Sequence, residues 1–379
     1  MRILALTAML AFAGFPSIAA AADAAGGGPS NVFPLQLATT IPFAPTAVRS
    51  AGASHLVYEL HLTNFSGGPV NIRRIEVRDG DAPATPIAVF QDDRLGEILD
   101  SVGGQAKPGS VQLGAGASAI AYMWVSIKDG DRVPARLSHR ITTDDNALEG
   151  AVVSTHESEL PVLSPPVRGE GWMASDGPSN DRVNHHRRGV LVLDGKAVDS
   201  RRYAIDWMIS KNGKTGSGER NLPGTYFAFE QPVYAVADAT VSHAKDGQPD
   251  NVPALPSDFR PALPITMDTV AGNNIVLDLG HGKYAYYFHL HPGSVLVKPG
   301  EHVRRGQLIA RIGCSGDATV PHLHFEITTS PKLIAGEGVP YAIDQYRVRA
   351  DDGSSQLRKK ELPLDKMIVD FGPAMKAAR

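Results

Sequence analysis

Pro321-His322-Leu323-His324-Phe325-Glu326-Ile327 is the stretch of sequence that says most about the fold. Its residues favour a β-strand, and strand side chains alternate between two faces. His322 and His324 therefore share one face, while Leu323 and Phe325 fill the other. One imidazole on such a face can hold a metal ion while its neighbour handles the proton of a water molecule. Without partners, the pair equally fits two hydrogen-bonded surface histidines.

The composition favours an all-β protein with two domains. The 379 residues exceed what a single hydrophobic core usually supports. Glycine (38) and proline (28) are frequent, and short strand-like segments recur between turn signals. The formal net charge of -3 gives no overall attraction to nucleic acid, so we expect no nucleic-acid partner. A single cysteine, Cys314, excludes an intramolecular disulfide.

Residues 1–22 have the pattern of a secretory signal peptide. Arg2 precedes an apolar segment that ends in a run of small residues at positions 19–22. We therefore expect an exported protein, periplasmic or extracellular. No other segment approaches the roughly 18 uninterrupted apolar residues of a membrane span, so we expect no stable membrane insertion.

Turn and proline signals divide the rest of the chain. Residues 31–163 alternate β-prone segments with Gly-rich and Asp-rich turns, and we predict an immunoglobulin-like β-sandwich there. The run Leu163-Ser164-Pro165-Pro166 predicts a linker, because consecutive prolines interrupt strand pairing. A second β domain is predicted over 167–348, and residues 349–379 are left as a C-terminal tail. We expect the first domain to be a targeting or spacing module.

Several segments of the second domain predict strands. Residues 189–198 contain an Asp-Gly turn between two β-prone runs and predict a hairpin. Residues 202–207 form another β-prone segment, in which Asp206 stands among apolar side chains. A buried carboxylate without a partner costs several kcal/mol, so Asp206 must meet a cation, a metal ion or hydrogen-bond donors. The segment 284–290 predicts a further strand that carries His289.

Five motifs occur in order along this domain. They are Ala-Ile-Asp (204–206), Tyr-x-x-His-Leu (286–290), Val-Arg-Arg-Gly-Gln-Leu-Ile (303–309), Gly-Cys-Ser-Gly (313–316) and Pro-His-Leu-His-Phe (321–325). Together they resemble the lysostaphin/LytM-type zinc endopeptidases over roughly residues 169–345. The resemblance implies a small antiparallel β-sheet with a groove and one Zn²⁺ bound through two histidines and one aspartate. It also implies cleavage of peptide bonds in bacterial cell-wall peptidoglycan.

The matching positions imply a role for each site residue. His324, the second histidine of His-Leu-His, matches a zinc ligand, and Asp206 matches the aspartate ligand. His322 and His289 match the two catalytic histidines of the family. The sequence does not divide the catalytic work between these two.

The third ligand is not fixed by the motifs. The usual family pattern has a histidine four residues before the aspartate, and Arg202 occupies that position. A protonated guanidinium offers no lone pair to a metal ion. Some members place the histidine well upstream, which implies His186 here, with His185 as the alternative. Adjacent residues of an extended chain face opposite ways, so only one can bind, and a site without a third protein ligand stays open.

The resemblance therefore implies a zinc metalloendopeptidase that acts on peptidoglycan peptides, and we expect a monomer. Two imidazoles and one carboxylate leave an open tetrahedral position, which is typical of catalytic zinc. The alternative is a catalytically silent LytM-like envelope module that binds peptidoglycan or regulates another cell-wall hydrolase. Arg202 in the ligand position supports that alternative.

Several residues near the motifs have alternative interpretations. Cys314, with histidines nearby, could be a nucleophile, although the other motifs would then be unexplained. Tyr287 could donate to an oxyanion or belong to the core. A group of four arginines could orient Asp206, meet substrate carboxylates or form a solvated basic edge. These are Arg187, Arg188, Arg201 and Arg202.

Overall fold

Strands make up almost all the regular structure, which confirms the all-β prediction. The computed structural model describes residues 34–102, 111–155, 160–350 and 352–372, and the predicted signal peptide lies outside these ranges. Within them the one α-helix, α1, spans Asp92–Ile98, and a single 3₁₀ turn spans Pro223–Thr225. In the part of the chain that is described, no helix is long and apolar enough to cross a membrane.

The first half of the chain forms two five-stranded antiparallel sheets around one hydrophobic core. One sheet has the order β1-β3-β8-β6 with β2 on β3, and the other has the order β10-β9-β4-β5 with β7 on β4. Leu60 and Val125 from the first sheet meet Ile75 and Ile141 from the second in this core. The immunoglobulin-like topology stays a prediction. The strands are β1 (Leu37–Thr40), β2 (Val48–Ser50), β3 (Ala53–Asn64), β4 (Val70–Asp79), β5 (Ala82–Gln91), β6 (Leu99–Ser101), β7 (Gln112–Leu113), β8 (Ser118–Lys128), β9 (Arg136–Thr143) and β10 (Ala147–Ser154).

The second half is built on an eleven-stranded sheet. Its order is β11-β23-β25-β12-β15-β22-β19-β18-β17-β20, with β24 on β23. All its pairs are antiparallel except β11 with β23. The strands of this half are β11 (Val162–Leu163), β12 (Gly169–Ser175), β13 (Leu191–Leu193), β14 (Lys196–Val198), β15 (Ile205–Ile209), β16 (Pro232–Tyr234), β17 (Ala239–Lys245), β18 (Asn273–Asp278), β19 (Tyr284–Leu290), β20 (His302–Val303), β21 (Leu308–Arg311), β22 (Leu323–Thr328), β23 (Ala342–Arg349), β24 (Ser355–Glu361) and β25 (Ile368–Phe371). Of these, β13 with β14 and β16 with β21 form two separate two-stranded sheets.

The segment left as a tail, 349–379, contributes two strands to this sheet. β25 lies between β23 and β12, and β12 pairs in turn with β15. Phe371 of β25 is buried in the core. Its ring packs edge-on against that of Trp207 of β15, with 5.2 Å between the ring centroids. The described residues from Leu35 onward belong to one compact unit. The domain limits at 163 and 167 stay predictions.

The strand β22 shows the alternation that its sequence predicted. Leu323, Phe325 and Ile327 are each fully buried and belong to the sheet's hydrophobic core. His324 and Glu326 lie on the opposite face, because successive strand side chains point to opposite sides of the sheet. The predicted hairpin over 189–198 is also present, as β13 and β14.

Candidate metal and catalytic centre

Two of the predicted ligands lie on neighbouring strands. Asp206 of β15 and His324 of β22 are direct cross-strand partners. His324 Nδ1 lies 2.9 Å from Asp206 Oδ1, and both residues are buried. The strand register therefore brings the carboxylate and the imidazole together without help from any loop.

His186 reaches the same carboxylate from a turn outside the sheet. Its Nδ1 lies 2.8 Å from the backbone carbonyl oxygen of Asp176. Because a carbonyl oxygen only accepts hydrogen bonds, Nδ1 carries the hydrogen and Nε2 keeps its lone pair. That Nε2 lies 3.6 Å from Asp206 Oδ1. The turn thus places a nitrogen lone pair beside the buried carboxylate, so that both groups are able to bind one metal ion.

The two predicted catalytic histidines are held in the same way. Nδ1 of His322 lies 2.8 Å from the carbonyl oxygen of Val320, and Nδ1 of His289 lies 2.8 Å from that of Ser315. Each Nδ1 therefore donates, and in the neutral form of either ring Nε2 carries the lone pair. The two ring centroids are 4.8 Å apart, and His322 Nε2 lies 3.5 Å from Asp206 Oδ1. The structure thus brings together all five predicted site residues.

The backbone of His289 adopts a left-handed conformation, with a φ of 62°. It lies where the pairing of β18 with β19 shifts register. Such a φ is unfavourable for a residue with a Cβ and persists only where the surroundings enforce it. The Gly-Cys-Ser-Gly loop supplies part of this constraint through Ser315. At Gly316, with a φ of 76°, a Cβ would lie 2.4 Å from the backbone nitrogen of Gly272, so only glycine fits.

Burial and mutual contact shift the pKa values of four of these groups. Burial lowers the pKa of His186 and of His289 well below the usual value, so both imidazoles are neutral at pH 7. Burial would raise the pKa of Asp206, but the histidines around it hold that pKa well below its usual range. Burial also opposes charge on His324, yet the carboxylates of Asp206 and Glu326 outweigh it and raise the His324 pKa to about 9.

The donor set fits a zinc ion. Tetrahedral zinc with bonds of about 2.0–2.2 Å places its ligand atoms about 3.3–3.5 Å apart. The His186 Nε2 to Asp206 Oδ1 distance of 3.6 Å is close to this value. The His324 Nδ1 to Asp206 Oδ1 distance of 2.9 Å is a hydrogen bond that must lengthen by a few tenths of an ångström. Two imidazole nitrogens and one carboxylate are the ligands of catalytic zinc sites, and His324 must give up its Nδ1 proton to become one of them.

His185 offers a second way to complete the donor set. Ligand atoms of His185, His186 and Asp206 all lie within 4.8 Å of one another. However, His185 is exposed, and its Nδ1 lies 3.6 Å from the Asp176 carboxylate. Of the two histidines, His186 is the better placed third donor, because a buried imidazole with Nε2 3.6 Å from Asp206 Oδ1 loses less conformational freedom on binding a metal ion.

Arg202 does not enter the centre. Its Nε donates to both carboxylate oxygens of Glu59 on β3, at 3.1 Å each, and its Nη2 lies 2.8 Å from Glu337. Arg187, next to His186, forms an ion pair with the same Glu59 and lies 3.6 Å from Asp199. We call Glu59, Arg187, Asp199, Arg202 and Glu337 the Glu59 cluster. The cluster ties the His186 turn to the first half of the chain.

The sequence reasoning missed Glu59 and Glu326. Glu326 Oε2 lies 3.6 Å from His324 Nε2, on the side away from Asp206, and both of its oxygens are buried without a hydrogen-bond partner. A carboxylate behind a metal-binding histidine orients the ring and raises its basicity. The period-two spacing from His322 and His324 could have indicated Glu326. No local signal marks Glu59, which is 128 residues from Arg187.

Two alternatives from the sequence lose support. Cys314 is fully buried, and burial raises the pKa of its thiol, so a reactive thiolate is disfavoured. Tyr287 is also fully buried, and its hydroxyl oxygen accepts a hydrogen bond from Val236 N at 3.0 Å. Tyr287 therefore belongs to the core rather than to the oxyanion side of the site.

A cavity of about 560 Å³ opens over the histidine cluster. It is lined by all five predicted site residues and by further polar, charged and apolar residues. The polar and charged ones include Asp176, Arg201 and Asp317, and the apolar ones include Met208, Val270 and Val320.

A comparison with known protein families finds a match to the part of the chain that carries three of the site residues. The model of Peptidase family M23 matches residues 221–335, which include His289, His322 and His324 but not Asp206 or His186. Assignment of those last two residues therefore rests on the geometry.

Two relatives from Vibrio cholerae serotype O1 are similar to the chain over a wider range. Peptidoglycan DD-endopeptidase ShyA is 44% identical over 253 residues, which cover 61% of this chain and 50% of the relative. Peptidoglycan DD-endopeptidase ShyB is 35% identical over 209 residues, which cover 53% and 41%. The chain spans about half the length of the curated relatives it matches. Among solved structures, the catalytic domain of lysostaphin from Staphylococcus simulans is 21% identical, covers 42% of this chain and 80% of its own, and has a TM-score of 0.22.

Proposed function

We propose that the chain is a zinc-dependent endopeptidase of cell-wall peptidoglycan, because residues 221–335 match the model of Peptidase family M23. One observation carries this proposal. His186 Nε2, His322 Nε2 and His324 Nδ1 converge on Asp206 Oδ1 at 3.6, 3.5 and 2.9 Å. The two relatives, both peptidoglycan DD-endopeptidases, support the choice of substrate.

In this proposal His186, Asp206 and His324 hold one Zn²⁺. When bound, zinc supplies Lewis acidity toward a peptide carbonyl and lowers the pKa of water towards about 7. The protein's own task is to deprotonate that water and to protonate the leaving amine. Both tasks need a base that is neutral near pH 7 and is held at a fixed position.

His289 meets both conditions, and His322 is held at a fixed position in the same way. Each presents a lone pair at Nε2, because its Nδ1 hydrogen is donated to a backbone carbonyl oxygen. Burial lowers the pKa of His289, so its imidazole is neutral before the reaction begins. Either Nε2 can take the proton of the attacking water. Once protonated, it donates to the leaving amine or to the carbonyl oxygen as negative charge develops there.

The alternative of a catalytically silent module rested on Arg202 in the usual ligand position. That side chain points to Glu59 and Glu337, and His186 reaches Asp206 instead. The replacement leaves a full set of three donors, which favours the enzyme. A peptidoglycan peptide as substrate places the activity outside the cytoplasm, in the periplasm or at the cell exterior, and the proposed active form is a monomer.

The test compares the wild type with His289→Ala. The wild type should contain one zinc ion per chain and release soluble peptides from isolated cell walls. His289→Ala should keep its zinc and lose hydrolysis, because His289 handles protons and is not a ligand. His302→Ala, at an exposed histidine, is the matched control and should match the wild type. A wild type with no zinc and no released peptides would support the silent module.

A further inference from the structure

The four arginines around the ligand turn have different surroundings. Arg187 and Arg202 are buried in the Glu59 cluster. Arg188 donates to backbone carbonyl oxygens, among them that of Glu97 at 3.0 Å, and lies 3.5 Å from Asp100. Arg201 makes no side-chain hydrogen bond and no ion pair among the described residues. It is therefore the one arginine of the four without a direct side-chain partner among the described residues. Its charge acts on Asp317 only at a distance, where burial raises the Asp317 pKa and Arg201 opposes that rise.

Arg201 nevertheless lies in a constrained position beside the candidate centre. It lines the same cavity as His186, Asp206 and His322. Its Nε is buried. A Cβ on Gly189, just after the ligand turn, would lie 2.7 Å from Arg201 Nη2 and 3.0 Å from its Nε. The guanidinium thus packs against the His186 turn rather than extending into solvent.

A partly buried guanidinium without a partner is unfavourable, and most such groups in proteins are paired. The planar fork of arginine matches the geometry of a carboxylate, to which it can donate two parallel hydrogen bonds. Asp317 lines the same cavity but is not within ion-pair distance of Arg201 among the described contacts. The guanidinium is therefore available to a carboxylate that enters the cavity.

We infer that Arg201 binds a free carboxylate of the peptide substrate, next to the bond that the His186, Asp206 and His324 site acts on. This inference rests on the proposed function for the identity of the substrate as a peptide. The substrate peptide carries a carboxylate close to the scissile bond, and a peptide with an uncharged amide in that place binds less well. Arg201 is a binding residue here and takes no part in proton transfer.

The test uses one cross-linked peptide dimer from a cell-wall digest in two forms, with its carboxylates free and with them converted to primary amides. Equilibrium binding is measured in the His289→Ala background by calorimetry, and turnover is measured with the otherwise wild-type protein. The variants are Arg201→Gln, Arg201→Lys and the control Arg260→Gln. Arg260 is exposed and does not line the cavity, so its loss removes the same charge elsewhere.

The acid form should bind about 10- to 100-fold more tightly than the amide form, which is the usual range for a charge-assisted hydrogen-bonded pair. Arg201→Gln should abolish this preference and leave amide binding and zinc content unchanged. Arg201→Lys should retain part of it, because lysine keeps the charge but lacks the fork. Arg260→Gln should leave it intact. In turnover the loss should appear in KM more than in kcat, because the carboxylate is bound before and during the reaction.

Two results would overturn the inference. One is a wild-type protein that binds both forms equally. The other is an Arg201→Gln variant that loses the acid and amide forms to the same extent, which would assign Arg201 a purely structural role. The proposed function fails separately. If no turnover occurs but the acid preference exists and depends on Arg201, the binding site stands and the peptidase does not. If turnover occurs without a preference for the acid form, the peptidase stands and the carboxylate-binding site at Arg201 does not.

Discussion

The two halves of the candidate centre are held by different kinds of structure. Asp206 and His324 lie on paired strands, where the hydrogen-bond ladder alone fixes their register. His186 lies on a turn, and its neighbour Arg187 is anchored to Glu59, a residue of β3 in the first half of the chain. The strand half of the site is therefore self-contained. The turn half is tied to the N-terminal sheets through this ion pair, so those sheets help to hold the proposed ligand His186 in place.

Glu59→Ala should have the largest effect of the variants that distinguish the two halves. It leaves two buried guanidinium groups without their shared carboxylate, a loss that costs about 3–5 kcal/mol. The free energy of unfolding, measured by denaturant titration, should fall by that amount. Zinc affinity should fall too, because the turn is released from its anchor.

Glu149→Ala is the matched control for this variant. Glu149 pairs with Arg140 on the surface of the same sandwich, where an exposed ion pair contributes under about 1 kcal/mol. Small and equal losses for the two variants would show that the Glu59 cluster does not support the turn.

His186→Ala should have the next largest effect, on zinc binding alone. Loss of a ligand should weaken zinc by more than the roughly 10- to 100-fold that loss of a supporting residue costs. His185→Ala should bind zinc as the wild type does, since its exposed imidazole is not a ligand in this account. Competition with a chromogenic chelator measures both affinities. The opposite pattern would transfer the ligand role to His185.

Glu326→Gln probes the strand half. The carboxylate 3.6 Å from His324 Nε2 holds the ring so that Nδ1 faces Asp206. Its conversion to an amide should weaken zinc by about 10- to 100-fold. Unaltered zinc affinity would mean that the strand pair needs no support from behind.

The pH dependence of stability should also separate the two halves. Burial alone would raise the pKa of Glu59, but the guanidinium groups of Arg202 and Arg187 outweigh it and lower that pKa to about 2. A depressed folded-state pKa gives stability that is complete above the unfolded value of about 4.3 and is lost as the pH falls.

The difference in unfolding free energy between the wild type and Glu59→Gln should therefore be constant above about pH 4.5. Below that it should shrink by at most about 1.4 kcal/mol per pH unit, down to about pH 2. Denaturant titrations of both proteins across this range measure the slope. A difference that stays constant down to pH 2 would show that Glu59 is not held ionised by its arginines.

Much of the strand half could be predicted from the sequence. Period-two alternation predicted one face for His322, which directly precedes β22, and His324, which lies in β22. The β-prone run around Asp206 predicted that this carboxylate lies in a strand. Pairing of these strands then needs only the regular geometry of an antiparallel sheet. Local periodicity carries this information because neighbouring residues on a strand determine where each side chain points.

The turn half could not be predicted in the same way. The anchor of the His186 turn is a contact between residues more than a hundred positions apart, and no local pattern encodes it. The left-handed φ of His289 depends on a register shift between β18 and β19, which also arises from tertiary packing. The motif resemblance named His186 as a candidate, but only the folded chain shows what holds it.

The most direct test of the central claim is a crystal structure of the zinc-loaded protein, with the metal located by anomalous scattering at the zinc edge. We expect a single strong peak bound by His186 Nε2, Asp206 and His324 Nδ1, with an open position facing His289 and His322. A peak coordinated by His185 in place of His186, or no peak within bonding distance of Asp206, would refute this ligand set.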